Sequence, residues 1–130
     1  MLGVNNSGAG HVAYCFAPVE SYSSFGSYQG NSSSDGPFVF CNFRPKYVMV
    51  KATNGARDWM VWDSARVAYN VNNATLSPNT SSAELTPGYQ VDFLSNGFKL
   101  RASTQETNNS AYTYLYCAFA ESPFAYARAR

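Results

Sequence analysis

The chain has 130 residues and is 45% hydrophobic, which is enough for one domain with a substantial core. Charged residues make up only 13%, about half the usual share, and the net charge is +1 with no run of like charges. We therefore expect no nucleic-acid partner, and since no stretch resembles a signal peptide or reaches transmembrane length, no membrane insertion.

The first third of the chain predicts a flexible start followed by short strands. Residues 1–10 are rich in Gly, Asn and Ser and are expected to form a flexible lead-in. Strands are predicted over residues 11–18, 22–29 and 37–42, where apolar side chains recur between turn-forming clusters. We place the folded domain at residues 11–124.

The pair Asn54-Gly55 predicts a tight hairpin between strands at residues 46–53 and 56–63. Asn-Gly is the preferred pair for a two-residue type I′ turn, and a loop of that length fixes the register of its strands. The register in turn predicts which charges lie opposite each other and stabilise the hairpin. The predicted ion pairs are Lys51–Asp58 and Lys46–Asp63.

A second Asn-Gly pair, Asn96-Gly97, predicts another hairpin, between residues 91–95 and 98–102. This register places Asp92 opposite Arg101, which predicts a third structural ion pair.

Residues 64–88 separate the two hairpins and show no clear period. Loops this long are uncommon in compact domains, so we expect a packed segment anchored by Leu76, Ala83 and Leu85. Residues 111–121 (AYTYLYCAFAE) alternate with a period of two and predict a strand with both faces covered. Residues 125–130 are expected to form a tail. Together these elements predict an all-β, single-domain antiparallel β-sandwich that is jelly-roll-like.

The two ends of the chain share a short repeated pattern. Asn5-Asn6-Ser7 recurs as Asn108-Asn109-Ser110, and Phe16-Ala17 recurs at the same spacing as Phe119-Ala120. We infer that the first and last strands lie side by side in one sheet or meet between subunits.

No arrangement of reactive side chains predicts catalysis. His11 and Cys15 are four residues apart, about 13 Å on a strand, which is too far for the imidazole to activate the thiol. All three cysteines lie in apolar strand patterns and are expected to be buried and reduced. No metal-ligand spacing or phosphate-binding loop occurs, so we expect a protein that is not an enzyme, with no metal and no cofactor.

Aromatic residues near amides are the remaining candidates for a binding surface, because Tyr and Trp rings stack on sugars and amides bond to their hydroxyls. The alternative, which a period of two favours, is that these aromatics pack in the core. The candidate binding residues are Tyr22, Tyr28, Gln29, Trp59, Trp62, Tyr69, Asn72 and Asn73.

Five runs of the chain stand out together: YCFAPVESYSSFGSYQGN (14–31), DGPFVFCNFRPKYVMVK (35–51), WDSARVAYN (62–70), DFLSNGFKLR (92–101) and YLYCAFAESPFAYARAR (114–130). In their order and spacing they resemble an uncharacterised β-rich domain of tailed-bacteriophage tail-fibre and virion appendage proteins.

The resemblance implies a structural virion protein, a tail-fibre or adhesin-like module for attachment to the host surface, with cell-surface polysaccharide as the expected receptor. It also implies a homotrimer that contacts other virion proteins and is assembled in the bacterial host cytoplasm. One alternative is a capsid decoration or head-fibre protein without a receptor. Another is a small polysaccharide depolymerase.

Overall fold

The computed structural model describes residues 7, 8 and 10–122, and this part of the chain is built from β-strands without helices. Its seven strands are β1 (Ser23–Gln29), β2 (Phe38–Phe40), β3 (Pro45–Ala52), β4 (Met60–Asp63), β5 (Val91–Leu94), β6 (Gly97–Leu100) and β7 (Thr113–Ala120).

The strands form two antiparallel sheets, a larger one in the order β1-β7-β3-β4 and a smaller one in the order β2-β6-β5. The first strand pairs with the last and the second with the next to last, which is the nested pairing of a jelly roll. The predicted all-β, single-domain fold with two sheets is confirmed.

The core lies between the two sheets and takes alternate residues from each strand. Trp62 and Tyr114 of the larger sheet and Phe93 and Phe98 of the smaller one are almost completely buried. Burying each such side chain contributes about 1.5–3 kcal/mol relative to leaving it in water. The period of two in the sequence therefore reports a real inner face on most strands.

The first hairpin differs from its prediction by one residue in register. Val48 lies opposite Trp62, and seven residues, 53–59, connect the strands in place of a two-residue turn. The reason is that Asn54 and Arg57 bond to the segment before β7, through the carbonyl of Ala111 and the hydroxyl of Tyr112. These contacts hold the loop open, so the predicted type I′ turn is wrong.

The ion pairs Lys46–Asp63 and Lys51–Asp58 are consequently wrong as well. Tyr47, not Lys46, lies opposite Asp63, whose carboxylate pairs with Arg66. Two further groups take other partners: Asp58 accepts a hydrogen bond from Asn79, and Lys51 donates one to the carbonyl of Ala52.

The pairing register of the second hairpin is shifted by two residues from its prediction, because Phe93 lies opposite Phe98 and not opposite Leu100. Its turn is Ser95-Asn96, one residue earlier than predicted, and Gly97 already lies in β6. A shift of two keeps every side chain on its predicted face. The Asp92–Arg101 ion pair therefore forms, diagonally across the strands, with Arg101 Nε 2.8 Å from Asp92 Oδ2.

The long segment between the hairpins packs onto the domain as predicted, but through different residues. Asn72, Ala74 and Thr75 are buried, and isolated bridges join Asn72 to Val91 and Thr75 to Leu85. Leu76 and Leu85, two of the predicted anchors, are more than a third exposed. Short backbone bridges and buried polar groups hold this segment, not a row of leucines.

Residues 11–18 were predicted as a strand, but they belong to neither sheet and are exposed. The neighbours of β7 are β1 and β3, so the predicted pairing of residues 11–18 with the last strand within the chain is wrong. The two phenylalanines of the repeated pattern are nevertheless in contact, because the ring centroids of Phe16 and Phe119 lie 6.0 Å apart. Cys15 is exposed, contrary to its prediction, while Cys41 is buried.

The predicted lead-in and tail fall mainly outside the described residues. Of residues 1–10, only 7, 8 and 10 are described, and residues 125–130 lie wholly outside, as does the Asn5-Asn6 part of the repeated pattern.

Candidate functional site

The outer face of the larger sheet, the side that points away from the core, carries an apolar row beside the polar and charged residues Gln29, Lys51 and Asp63. One row of paired residues crosses all four strands of this face: Phe25, Cys117, Met49 and Val61. Phe25, Cys117 and Met49 are half-buried, Val61 is buried beside Leu76, and Leu115 next to the row is 52% exposed. Outer faces of antiparallel sheets normally carry polar side chains when they face water, so this face indicates a binding or assembly surface.

An aromatic cluster occupies the outer face where β1 and the end of β7 meet. Phe119 is its centre, with the rings of Phe16, Tyr22, Phe25 and Tyr47 each 5.8–6.0 Å from it. Most of these contacts are edge-on or tilted, as aromatic quadrupoles favour.

A pocket lies at the opposite corner of the outer face, where β4 begins. It encloses about 290 Å³ and is lined by Met49, Trp59, Pro78 and Asn79. The Trp59 side chain is 37% exposed, so part of its indole is available to a ligand. We call this cavity the Trp59 pocket.

Polar groups at the rim of the Trp59 pocket are held in place by one another. Asn79 accepts a hydrogen bond from the backbone N–H of Trp59 at 2.9 Å and donates one to Asp58 Oδ1 at 2.8 Å. Asp58 is not one of the four lining residues and is joined to the pocket through Asn79. An apolar ring with fixed polar groups beside it is the general form of a small-ligand site.

Three of the predicted binding residues are buried and cannot contact a ligand at the surface. Tyr28 donates its hydroxyl proton to the carbonyl of Thr107 at 2.7 Å, and Trp62 donates its indole N–H to that of Tyr89, also at 2.7 Å. Asn72 donates to the carbonyl of Asp63 at 2.8 Å and is 1% exposed. Their place in the binding surface is wrong; each satisfies a buried backbone carbonyl.

The other predicted residues are dispersed over the surface. Tyr22 joins the aromatic cluster, while Gln29 bonds to Ser110 and Thr113 at the end of β1. Tyr69 is 84% exposed, and the backbone carbonyl of Asn73 accepts a hydrogen bond from Gly88. Of the eight candidates, Trp59 alone lies in the pocket.

Sequence reasoning missed the partners of Trp59. Asp58 was assigned to an ion pair with Lys51, and Pro78 and Asn79 lie in a segment without a period. Asn79 is twenty residues from Trp59 in the chain, so only the fold brings them together. One signal was present: turn-forming residues such as Pro78-Asn79 within a long packed loop are typical of binding loops.

Charged groups form two networks at the margins of the sheets. Arg66 bridges Asp63 and Glu84 beside β4, and Asp35 pairs with Lys99 and Arg101 on the smaller sheet. Partial burial acts to raise the pKa of Asp63, but hydrogen bonds and charge from Arg66 outweigh it, so the pKa lies below its ordinary value. These networks lie outside the apolar row, and Lys51 lies on the same face opposite Leu115.

The chain matches a family described as Domain of unknown function (DUF7483) over residues 2–123. The chain belongs to the DUF7483 family. Neither a curated protein nor a solved structure matches it. The DUF7483 match includes β1–β7, and therefore both sheets, the aromatic cluster and the Trp59 pocket.

Within the described part of the DUF7483 domain, no group of three or more His, Cys, Asp or Glu side chains could hold a metal ion. No helix in that part is long and apolar enough to cross a membrane. Burial raises the pKa of the Cys41 thiol to about 11, which keeps it protonated and unreactive at neutral pH.

Proposed function

We propose that this DUF7483 domain is an attachment module of a tailed-bacteriophage virion, and that it binds host-surface polysaccharide through the Trp59 pocket. The resemblance of residues 14–130 to phage appendage domains supports the virion role. The observation that carries the ligand class is a partly exposed Trp59 that shares a pocket with Asn79, whose amide is fixed by the backbone of Trp59 and by Asp58.

Sugars fit this chemistry because they have two kinds of surface. The C–H face of a pyranose ring packs on an indole, while its hydroxyls require acceptors and donors at the edge. Asn79 offers its amide, and Met49 and Pro78 extend the apolar floor on which the ring would lie. The low charge of the chain suits neutral or weakly charged polysaccharide better than nucleic acid.

We propose binding without cleavage. Glycoside hydrolysis normally requires two carboxyl groups about 5 to 9.5 Å apart across the scissile bond. The four residues that line the Trp59 pocket include no carboxyl group, and Asp58 is held at its rim by Asn79. This arrangement supports a receptor-binding module over the alternative of a depolymerase.

The proposal is tested by measuring binding of the purified chain to bacterial cells and to a panel of bacterial surface polysaccharides. We expect Trp59→Ala to weaken binding tenfold or more, because it removes the stacking surface. Tyr69→Ala is the matched control, since Tyr69 is a highly exposed aromatic outside the pocket, and it should bind like the wild type. Equal binding by wild type and Trp59→Ala would refute the pocket, and no binding to any cell or polysaccharide would refute the attachment role.

The alternative of a capsid decoration protein is favoured by one observation, the continuous apolar row on the outer face, which suits assembly. Antibody labelling of intact particles separates the two roles. An attachment module would be labelled at the tail, and a decoration protein over the head.

A further inference from the structure

The described chain leaves two apolar surfaces incompletely covered: the outer face of the larger sheet and the segment Val12–Phe16. We propose that each covers the other between two copies of this chain, so that the segment of one copy lies across the outer face of a second. This inference does not rest on polysaccharide binding.

The segment has the pattern of a buried strand but not the environment of one. Val12, Tyr14 and Phe16 alternate with smaller residues, and they are 80%, 83% and 66% exposed. Three large apolar side chains at a period of two project on one side of an extended chain. Exposed together, they are a predicted site of association.

The outer face matches this segment in size and chemistry. The half-buried part of the row, from Phe25 to Met49, crosses three strands, about 10 Å at the usual strand spacing. An extended chain from Val12 to Phe16 spans about 13 Å and is long enough to cover it, while Val61 at the end of the row is already buried. The row and the segment are both uncharged, and Lys51, which lies opposite Leu115 on the same face, donates a hydrogen bond to the carbonyl of Ala52.

One contact within the chain shows that the segment suits this face. Phe16 already packs against Phe25 and Phe119, with ring centroids 5.8 and 6.0 Å apart. Val12 and Tyr14, further from β1, nevertheless remain exposed in their own chain. A second copy can supply the rest of the apolar contact to both surfaces.

Each copy gives one segment and offers one face. Reciprocal exchange closes as a two-fold dimer, and exchange in one direction closes as a ring, including the trimer that the phage resemblance implies.

The first test is the oligomeric state of the chain at about 50 µM, measured by sedimentation velocity. The wild type should be an oligomer, while Tyr14→Glu and Leu115→Glu should each shift it to monomer by placing a charge in the contact. Matched controls are Tyr69→Glu, at 84% exposure against 83% for Tyr14, and Phe40→Glu on the smaller sheet, at 58% against 52% for Leu115. Circular dichroism checks that all four fold.

A monomeric wild type overturns the proposal. So does an oligomer that both variants leave intact, because the contact must then lie elsewhere.

Cross-linking of a mixture identifies the two surfaces directly. One variant keeps Cys15 and carries Cys117→Ser; the other carries Cys15→Ser, Cys117→Ser and Leu115→Cys. Cys41 remains in both, buried and protonated, and does not compete. A short bismaleimide should join the two variants to each other, and addition of Tyr14→Glu to the first should prevent this. Absence of a cross-linked pair in a mixture that sediments as an oligomer refutes the segment-on-face contact.

Discussion

Gly97 was expected to be glycine because a turn requires it, but the structure requires glycine there for a different reason. Asn96-Gly97 predicts a turn in which glycine supplies a positive φ. Gly97 instead lies in β6, where an added Cβ would be 2.1 Å from the carbonyl oxygen of Val39. Glycine is required here because β2 approaches closely, and not because a turn requires a positive φ.

Gly97→Ala should destabilise the domain by about 1–3 kcal/mol, because the new methyl group forces β2 and β6 apart. Equilibrium unfolding in urea measures the change. Gly10→Ala is the control, since nothing lies within 4 Å of an added Cβ there, and its free energy of unfolding should be unchanged. A neutral Gly97→Ala would mean that β2 is free to move away from β6.

The carboxylate of Asp63 links stability to pH. Its oxygens accept hydrogen bonds from Arg66 Nε at 2.5 Å and from two backbone N–H groups, those of Ala65 and Arg66. Because the folded pKa lies below the ordinary 3.8, the contribution is present above that value and is lost as pH falls through the folded pKa.

Asp63→Asn should therefore cost about 1 kcal/mol at pH 7, with the difference from wild type shrinking as the pH falls through the lowered pKa of Asp63. Urea unfolding at several pH values tests this. A difference that stayed constant down to about pH 2 would assign the loss to geometry instead of charge.

At the scale of elements, strand positions could be predicted from the sequence but their pairing could not. The alternation in β3 and β7 reports burial on one face, which is a local property. The register of β3 depends on β7, more than sixty residues away, which extends its pairing as far as Ala52 opposite Tyr114. That contact opens the Asn54-Gly55 loop, and no local rule contains it.

The loop before β2 illustrates the same dependence on distant residues. Asn108 is fully buried, accepts a hydrogen bond from the N–H of Asn31, and donates to Asn31 Oδ1 and to the carbonyl of Ser33. One side chain thus fixes a turn that is 75 to 77 residues away in the chain.

Asn108→Ala should cost about 2–3 kcal/mol, because it leaves several polar groups without partners. Asn109→Ala is the matched control: its side-chain oxygen accepts a single local bond, from the N–H of Ala111, so the loss should be about 1 kcal/mol or less. Amide exchange of Asn31 should also accelerate in Asn108→Ala. Similar losses in the two variants would contradict this role of Asn108.

For the whole molecule, the scarcity of charge in the sequence has a structural counterpart. The larger sheet has an apolar inner face against the smaller sheet and an apolar row on its outer face, which accounts for part of the scarcity of charge on its strands. The sequence therefore indicates an additional apolar surface. From the sequence, Trp59 can be assigned to the candidate site, but Pro78 and Asn79 cannot. Both lie in the long segment at residues 64–88, which has no period, and only the fold brings them to Trp59.

If copies of the chain cover this outward face, thermal stability must depend on protein concentration. Association stabilises only the folded state, so each tenfold rise in concentration adds about 1.4 kcal/mol per mole of dimer, or about 0.7 kcal/mol per chain. For a domain of this size the melting temperature should rise by about 2–3 °C per tenfold increase. Differential scanning calorimetry over a hundredfold range measures the trend, which Tyr14→Glu should abolish and Tyr69→Glu should preserve. A melting temperature independent of concentration in the wild type would show that the outer face is not covered by a second copy.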